Sequence, residues 1–381
     1  MTQSVAGAPG AARAGISKLA RAEWFLAISA ATVAVFFLSG DSLFANLANP
    51  LWLGFVFLWL FCAVLVSCLC VVRHADGVAE ALGEPYGTLV LTLSVTTIEV
   101  LSISAVMLHG ANNPTLVRDT LFSVVMVILG GMAGMSLLIG GWRHKEQTYN
   151  LQGANAYLGV IIPLAVLSLT LPNFTTTAED PAISPAQRLF LTLVCSGLYC
   201  AFLAIQTGRH RGYFTAIECG RNERGATPAG AHHLLRHAVL LVAYMLPIAF
   251  LAEELARPID YLIETLHAPD ALGGVVIAII VATPESIGAM RAALSNRLQL
   301  SVNIFLGSVL STIGLTVPIM LVISHFTGKT VFLGLSSANN VLLLLTLAVS
   351  IVTFGSGRTH MLQGAVHVVL FGAFLLLIFQ G

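Results

Sequence analysis

The chain has 381 residues, 57% of them hydrophobic and 9% charged, with 18 basic residues balancing 18 acidic ones. Its mean hydropathy is +0.88. A balance this neutral offers no electrostatic footprint for nucleic acid or a strongly acidic partner, and a chain this apolar is a polytopic membrane protein.

A bilayer core of about 30 Å needs roughly 20 apolar residues per helix. Runs of that kind fall at Ala22 to Leu38, Leu51 to Val72, Tyr86 to Leu108, Thr120 to Gly141 and Ala156 to Leu171. After a polar gap they resume at Gln187 to Gln206, Leu234 to Leu255, Ala271 to Leu294, Leu300 to Ser324, Val331 to Phe354 and Met361 to Phe379. The expected fold is all-α with eleven transmembrane helices. With the N-terminus cytoplasmic, 14 of the 18 basic residues lie on that side and only Arg118, Arg188, Arg257 and Lys329 lie on the other. That asymmetry follows the positive-inside rule and places the C-terminus outside. The first span is read as an uncleaved leading helix rather than a secretory signal. Six cysteines, without paired metal-ligand spacing, are read as reduced packing residues.

Two acids interrupt the apolar runs: Glu99 in the third span and Glu285 in the eighth. An ionisable group at bilayer depth is costly and reads first as part of an ion or proton pathway. "SVTTIEV" around Glu99 pairs with "IVATPES" before and at Glu285. "VILGGMAG" in the fourth span pairs with "IFLGSVLS" in the ninth, setting Gly130 and Gly131 against Gly307 and Ser308. The third helix leaves the cytoplasm and the eighth enters from outside, so the copies are inverted. Such repeats put a binding site near the midplane where they meet, with alternating access around it. At about 1.5 Å per residue, both acids lie roughly 20 Å along their helices. The organisation expected is a tail and leading helix over 1–50, a five-helix repeat over 51–206, a cytoplasmic linker over 207–233 and a second five-helix repeat over 234–381.

Thr92, Thr96, Glu99 and Ser102 share one helix face, a stripe of oxygens able to hydrogen-bond the carboxylate or ligate a cation. Pro284 removes an amide hydrogen, so the eighth helix is expected to kink and free carbonyls beside Thr283 and Glu285. Asn303, Ser308 and Ser311 offer further neutral oxygens or interhelical bonds, and Gly130, Gly131 and Gly307 let helices approach closely. Two facing carboxylates in a dehydrated site cannot both ionise cheaply and titrate as a coupled pair, so a cation can replace their protons. The cation and proton ligands expected are Glu99, Glu285, Thr96, Thr283, Asn303 and Ser308, with the two glutamates holding the transported metal ion. Pro284, Gly130, Gly131 and Gly307 are expected to gate the path. A passive channel is the alternative. An intramembrane enzyme finds no H-E-x-x-H motif or nucleophile with a base partner.

Among other candidates, Asp76, Glu80 and Glu84 could form a negative vestibule or a solvated helix face. Arg118 and Asp119 form a candidate pair. His367 is read as a hydrogen-bonded structural histidine, and His232, His233 and His237 lack a closed metal ligand set.

"VVRHAD", "LGEPYG", "SVTTIEV", "NPTLVRDT", "TPESIGAMRAALSN", "GSVLSTIGLTVP" and "SGRTHMLQGAVH" together resemble the bacterial calcium (sodium, potassium)/proton antiporter family of the calcium/cation antiporter superfamily. The resemblance runs from about Val71 to the C-terminus. It implies an inner-membrane antiporter of eleven spans that exports Ca2+, or else Na+ or K+, against proton entry, with no cofactor. It also implies central acidic positions at Glu99 and Glu285, and a role for Glu84 in the "GE" motif at the cytoplasmic start of the first repeat. The sequence departs from the wider pattern at Thr97 and Ile98 before Glu99, at Ser286 after Glu285, and in the basic rather than acidic linker.

Overall fold

The computed structural model describes residues 23–82, 86–109, 113–175, 183–214 and 231–380. Glu84, the linker residues 215–230 and Cys219 lie outside them. Hydrocarbon offers no hydrogen bonds to the backbone, so a chain that crosses it must satisfy its amides within each segment, and helices do so.

Eleven helices among the described residues are long and apolar enough to span a bilayer. We number them α1 (Trp24–Phe44), α2 (Pro50–Leu82), α3 (Leu89–Leu108), α4 (Leu116–His144), α5 (Leu151–Thr170), α6 (Pro185–Arg209), α7 (His233–Glu264), α8 (Leu272–Leu294), α9 (Leu298–Thr327), α10 (Ser337–Phe354) and α11 (Met361–Phe379). The protein is thus an all-α polytopic membrane protein. Two three-residue strands, β1 (Glu146–Thr148) and β2 (Arg358–His360), pair antiparallel and tie the α4–α5 turn to the α10–α11 turn.

Burial ranks the helices. The apolar windows of α4 and α9 are 83% and 72% buried, whereas those of α1 and α6 are 22% buried, so α4 and α9 form the centre and the others face outward. α4 packs on α8 and α11, and α9 packs on α3, α6 and α8. Glycine sets the closest of these approaches: a Cβ on Gly134 would meet the Val368 amide nitrogen of α11 at 2.9 Å, and one on Gly130 would meet the Phe371 Cβ at 3.0 Å.

The helix ends differ from hydropathy in instructive ways. α2 runs to Leu82, past the predicted Val72, and carries Arg73, His74, Asp76 and Glu80 on a helical extension beyond the apolar run. Asp76 and Glu80 are exposed there. α5 starts at Leu151, five residues before the predicted Ala156, because the Asn150 side chain caps it by accepting from the amides of Gln152 and Gly153. Residues 331–336, predicted to open the tenth span, are irregular rather than helical. Val331, Leu333 and Leu335 are buried, and the amides of Phe332 and Leu335 donate to the carbonyls of Pro114 and Leu169. The helix begins only where Ser336 caps it.

α8 runs as helix from Leu272 through Pro284 to Leu294, so the proline does not end it. Thr283 and Ser286 donate to the carbonyls of Ile279 and Ala282, which supply in-helix hydrogen bonds on either side of the proline. The irregular backbone lies elsewhere, in π-helical turns at Met126–Met132 of α4 and Thr312–Thr316 of α9.

The glycine seam between α4 and α11 yields the first prediction. Gly134→Ala overpacks it and costs about 1–3 kcal/mol, lowering the thermal midpoint of the purified protein in detergent. Gly159→Ala, whose Cβ meets nothing within 4 Å, leaves the midpoint in place.

Candidate functional site

α9 brings the two carboxylates to one place. Thr312 Oγ1 donates to Glu99 Oε2 at 3.0 Å, and Ser308 Oγ donates to Glu285 Oε2. The two hydroxyls are four residues apart on α9, so they stand one above the other on a single face, about 6 Å apart along the axis. Glu99 reaches this face from α3 and Glu285 from α8. Thr316, one further turn along α9, is fully buried. Glu99 is 1% exposed, whereas Glu285 is only partly buried.

Not every oxygen here is satisfied. Glu99 Oε1, Thr96 Oγ1 and Ser102 Oγ are buried without a hydrogen-bond partner in the protein. Leaving a buried polar atom unpaired costs about 1–3 kcal/mol, so three such atoms on one face of α3 mark a place suited to a proton or a cation. Of the predicted stripe Thr92, Thr96, Glu99 and Ser102, the last three are buried, at 3%, 1% and 2% exposure, and Thr92 is half-buried. The π turn of α9 begins at Thr312, the residue that holds Glu99, and such turns recur at functional positions.

Other predicted ligands sit elsewhere. Thr283 turns its hydroxyl back to Ile279 O. Asn303 donates to Phe214 O and accepts from Gln299 Nε2 at 2.8 Å, bonds that fasten the start of α9 to the end of α6 rather than reach a carboxylate. Ser311 bonds to the Ser308 carbonyl of its own helix at 2.9 Å. Gly130 and Gly131 lie against Phe371 of α11, and a Cβ on Gly307 would stand 3.6 Å from the Tyr157 hydroxyl, so these glycines seat neighbouring helices.

Arg118 and Asp119 pair at 2.8 Å, and Arg118 also donates to Gly334 O, holding the extended segment before α10. His367 is fully buried and shares a 3.0 Å hydrogen bond with Thr353, a structural contact between α10 and α11. A groove of about 340 Å³ between α1 and α2, lined by residues such as Phe25, Ile28, Phe55 and Trp59, is apolar and away from both carboxylates.

Sequence reading passed over Thr312 and Thr316. Their signal was present as the four-residue spacing from Ser308, a second hydroxyl stripe matching that of α3. It also passed over Glu23, whose partners come from α2 and α7.

Comparison with known proteins places the chain. The family model for sodium/calcium exchanger protein matches residues 52–208 and 236–380. The y4hA protein of Sinorhizobium fredii is 43% identical over 311 residues, covering 80% of this chain and 83% of that protein. The sodium-potassium/proton antiporter ChaA of Escherichia coli is 38% identical over 319 residues, covering 83% and 86%. Among solved structures, native YfkE superposes with a TM-score of 0.72 at 18% identity over 94% of this chain and all of that one, a likeness of fold. The chain therefore belongs to the sodium/calcium exchanger family, within the calcium/cation antiporter superfamily.

Proposed function

We propose that the protein is a secondary active cation/proton antiporter that binds its substrates at Glu99 and Glu285 and exports cations against proton entry by alternating access. The observation that carries this reading is that two carboxylates on oppositely threaded helices share one face of α9, through Ser308 and Thr312. The named activity of the Escherichia coli relative supports the reaction class.

The mechanism follows from charge. Two carboxylates in a dehydrated site repel, and each loses its hydration. A bound cation neutralises them from one side of the membrane, and protons neutralise them from the other. With both ionised and nothing bound, the reoriented site would carry two uncompensated charges through hydrocarbon, so the empty carrier stays put and the two fluxes are coupled. Thr96 and Ser102 on α3 add neutral oxygens next to Glu99. Substrates of this chemistry are Ca2+, whose two charges match the pair, or the alkali cations Na+ and K+. The family description points to calcium and sodium, and the ChaA relative to sodium and potassium.

The halves of the carrier are assigned to 51–206 and 234–381, with the basic linker 207–233 between them. The excess of Lys and Arg on the N-terminal side assigns that side to the cytoplasm of a bacterial inner membrane.

Inside-out vesicles with an imposed proton gradient test the reaction. Addition of Ca2+, Na+ or K+ in turn dissipates the gradient for the transported ions, and Glu99→Gln and Glu285→Gln each abolish the response while inserting at wild-type levels. A cation current that persists without proton movement would replace the antiporter by a channel.

The two hydroxyls give a graded test. Removing a hydrogen bond to a charged group costs about 1.5–3 kcal/mol, or roughly 10- to 100-fold in an equilibrium constant. Thr312→Ala and Ser308→Ala therefore shift the half-saturating cation concentration by about one to two orders of magnitude, and Ser311→Ala leaves it unchanged.

A further inference from the structure

A second titratable cluster lies on the N-terminal face, where α1, α2 and α7 meet. Glu23, 9% exposed at the head of α1, is its single acid. Its Oε2 accepts from Arg73 Nη2 of α2 at 2.5 Å and from the Tyr244 hydroxyl of α7 at 3.1 Å, and it lies 3.3 Å from His74 Nε2. Arg236 of α7 stands 4.0 Å from its other oxygen. His74, 1% exposed on α2, meets His237 of α7 through their Nδ1 atoms at 3.0 Å. His233 lies beyond, its ring centre 4.5 Å from that of His237 and the rings tilted by 45°, and Cys70 lies one turn before His74, next to Tyr244.

The contact between the two rings has a strict proton requirement. A hydrogen bond from Nδ1 to Nδ1 needs one protonated nitrogen and one bare lone pair, so at least one of the two imidazoles is neutral. When both rings are doubly protonated, two N–H groups point at each other and the bond becomes a repulsion. The surroundings sharpen the effect, because among the described residues the two arginines that reach Glu23, Arg73 and Arg236, outnumber it, and His74 is 1% exposed.

We propose that His74 and His237 form a second proton-binding site, separate from the carboxylates, which releases α2 from α7 when the cytoplasmic face becomes acidic and so slows exchange. The site lies between the first helix of each repeat, α2 and α7, which make the most extensive helix contact in the molecule. A carrier that cycles through this arrangement once per turnover loses rate when the arrangement is depopulated. A proton importer with such a site stops before it over-acidifies the cell. Glu23 and Arg73 are positioning residues here: they orient the His74 ring and hold α1 to the pair.

The rate measurement rests on the exchange reading above, so the test has two arms. In proteoliposomes with the pH of each face set separately, wild-type exchange falls by about tenfold as the N-terminal face goes from about pH 8 to about pH 5.5, the range in which histidine changes charge. His237→Gln and His74→Gln keep the rate at the alkaline end within about twofold and lose most of that fall, because Gln does not titrate. Gly77→Ala does the same without removing a titratable group, since a Cβ on Gly77 would run into the His237 ring. In the second arm, imidazole 15N spectra of the detergent-solubilised wild type show two rings whose titrations are coupled, a coupling absent from Gly77→Ala. This arm needs no transport. Superimposable pH profiles for wild type and all three variants, or two rings that titrate independently in the wild type, would overturn the proposal.

Discussion

A carboxylate in hydrocarbon has to be answered by something, and the arrangement of the central helices follows from that demand. The penalty for burying an ion is several kcal/mol even after relaxation, far more than one neutral hydroxyl returns. Glu99, at 1% exposure, has one hydrogen bond to Thr312 and a free Oε1. The protein thus supplies part of the compensation, and under the proposed exchange a substrate would supply the rest. Had an arginine or lysine of this chain stood beside Glu99, the pair would have been a stable structural bridge with nothing left to exchange. Incomplete compensation is what makes the position usable.

The two halves have diverged around this centre. Setting Gly130 and Gly131 of α4 against Gly307 and Ser308 of α9 makes Met135 the counterpart of Thr312. Both hydroxyls that touch the carboxylates therefore come from α9, and α4 has a glycine and a methionine in their place. α4 uses its glycines to let α11 approach closely, as Gly134 against Val368 demonstrates. One central helix supplies the hydroxyls at the carboxylates and the other packs closely. Glu99 is buried while Glu285 is only partly so.

Most of the fold was legible because spanning helices announce themselves by length and apolarity alone, and all eleven appear. What hydropathy could not distinguish was apolar chain that is helical from apolar chain that is not. Residues 331–336 are as hydrophobic as a helix start, yet the amides of Phe332 and Leu335 donate to Pro114 and Leu169, partners more than 160 residues away in sequence. Pro284 is a local signal: it lies inside a continuous helix where Thr283 and Ser286 donate back to the carbonyls of Ile279 and Ala282, and the Ile280 carbonyl has no proline amide to accept from. At the site, the acids were readable because their cost is intrinsic to the residue. Thr312 was not, because a threonine in a membrane helix gains its meaning only from what faces it, and that is fixed by helix packing.

The leading helix deserves the same physical reading as the repeats, since ionic contacts hold both its ends to α7. On the N-terminal face the contact is through Glu23, whose side chain is 8% exposed and shared among Arg73, His74, Arg236 and Tyr244. On the opposite face Asp41 meets Arg257 at 3.3 Å, but its side chain is fully exposed. Exposed pairs contribute about 0–1 kcal/mol, while breaking a buried one costs about 3–5 kcal/mol. The two ends are therefore unequal, and α1 is pinned at its head and loosely tethered at its foot. A rocking motion between the repeats would pivot α1 about Glu23, carrying the outer end with α7 and leaving the histidine pair at the fulcrum.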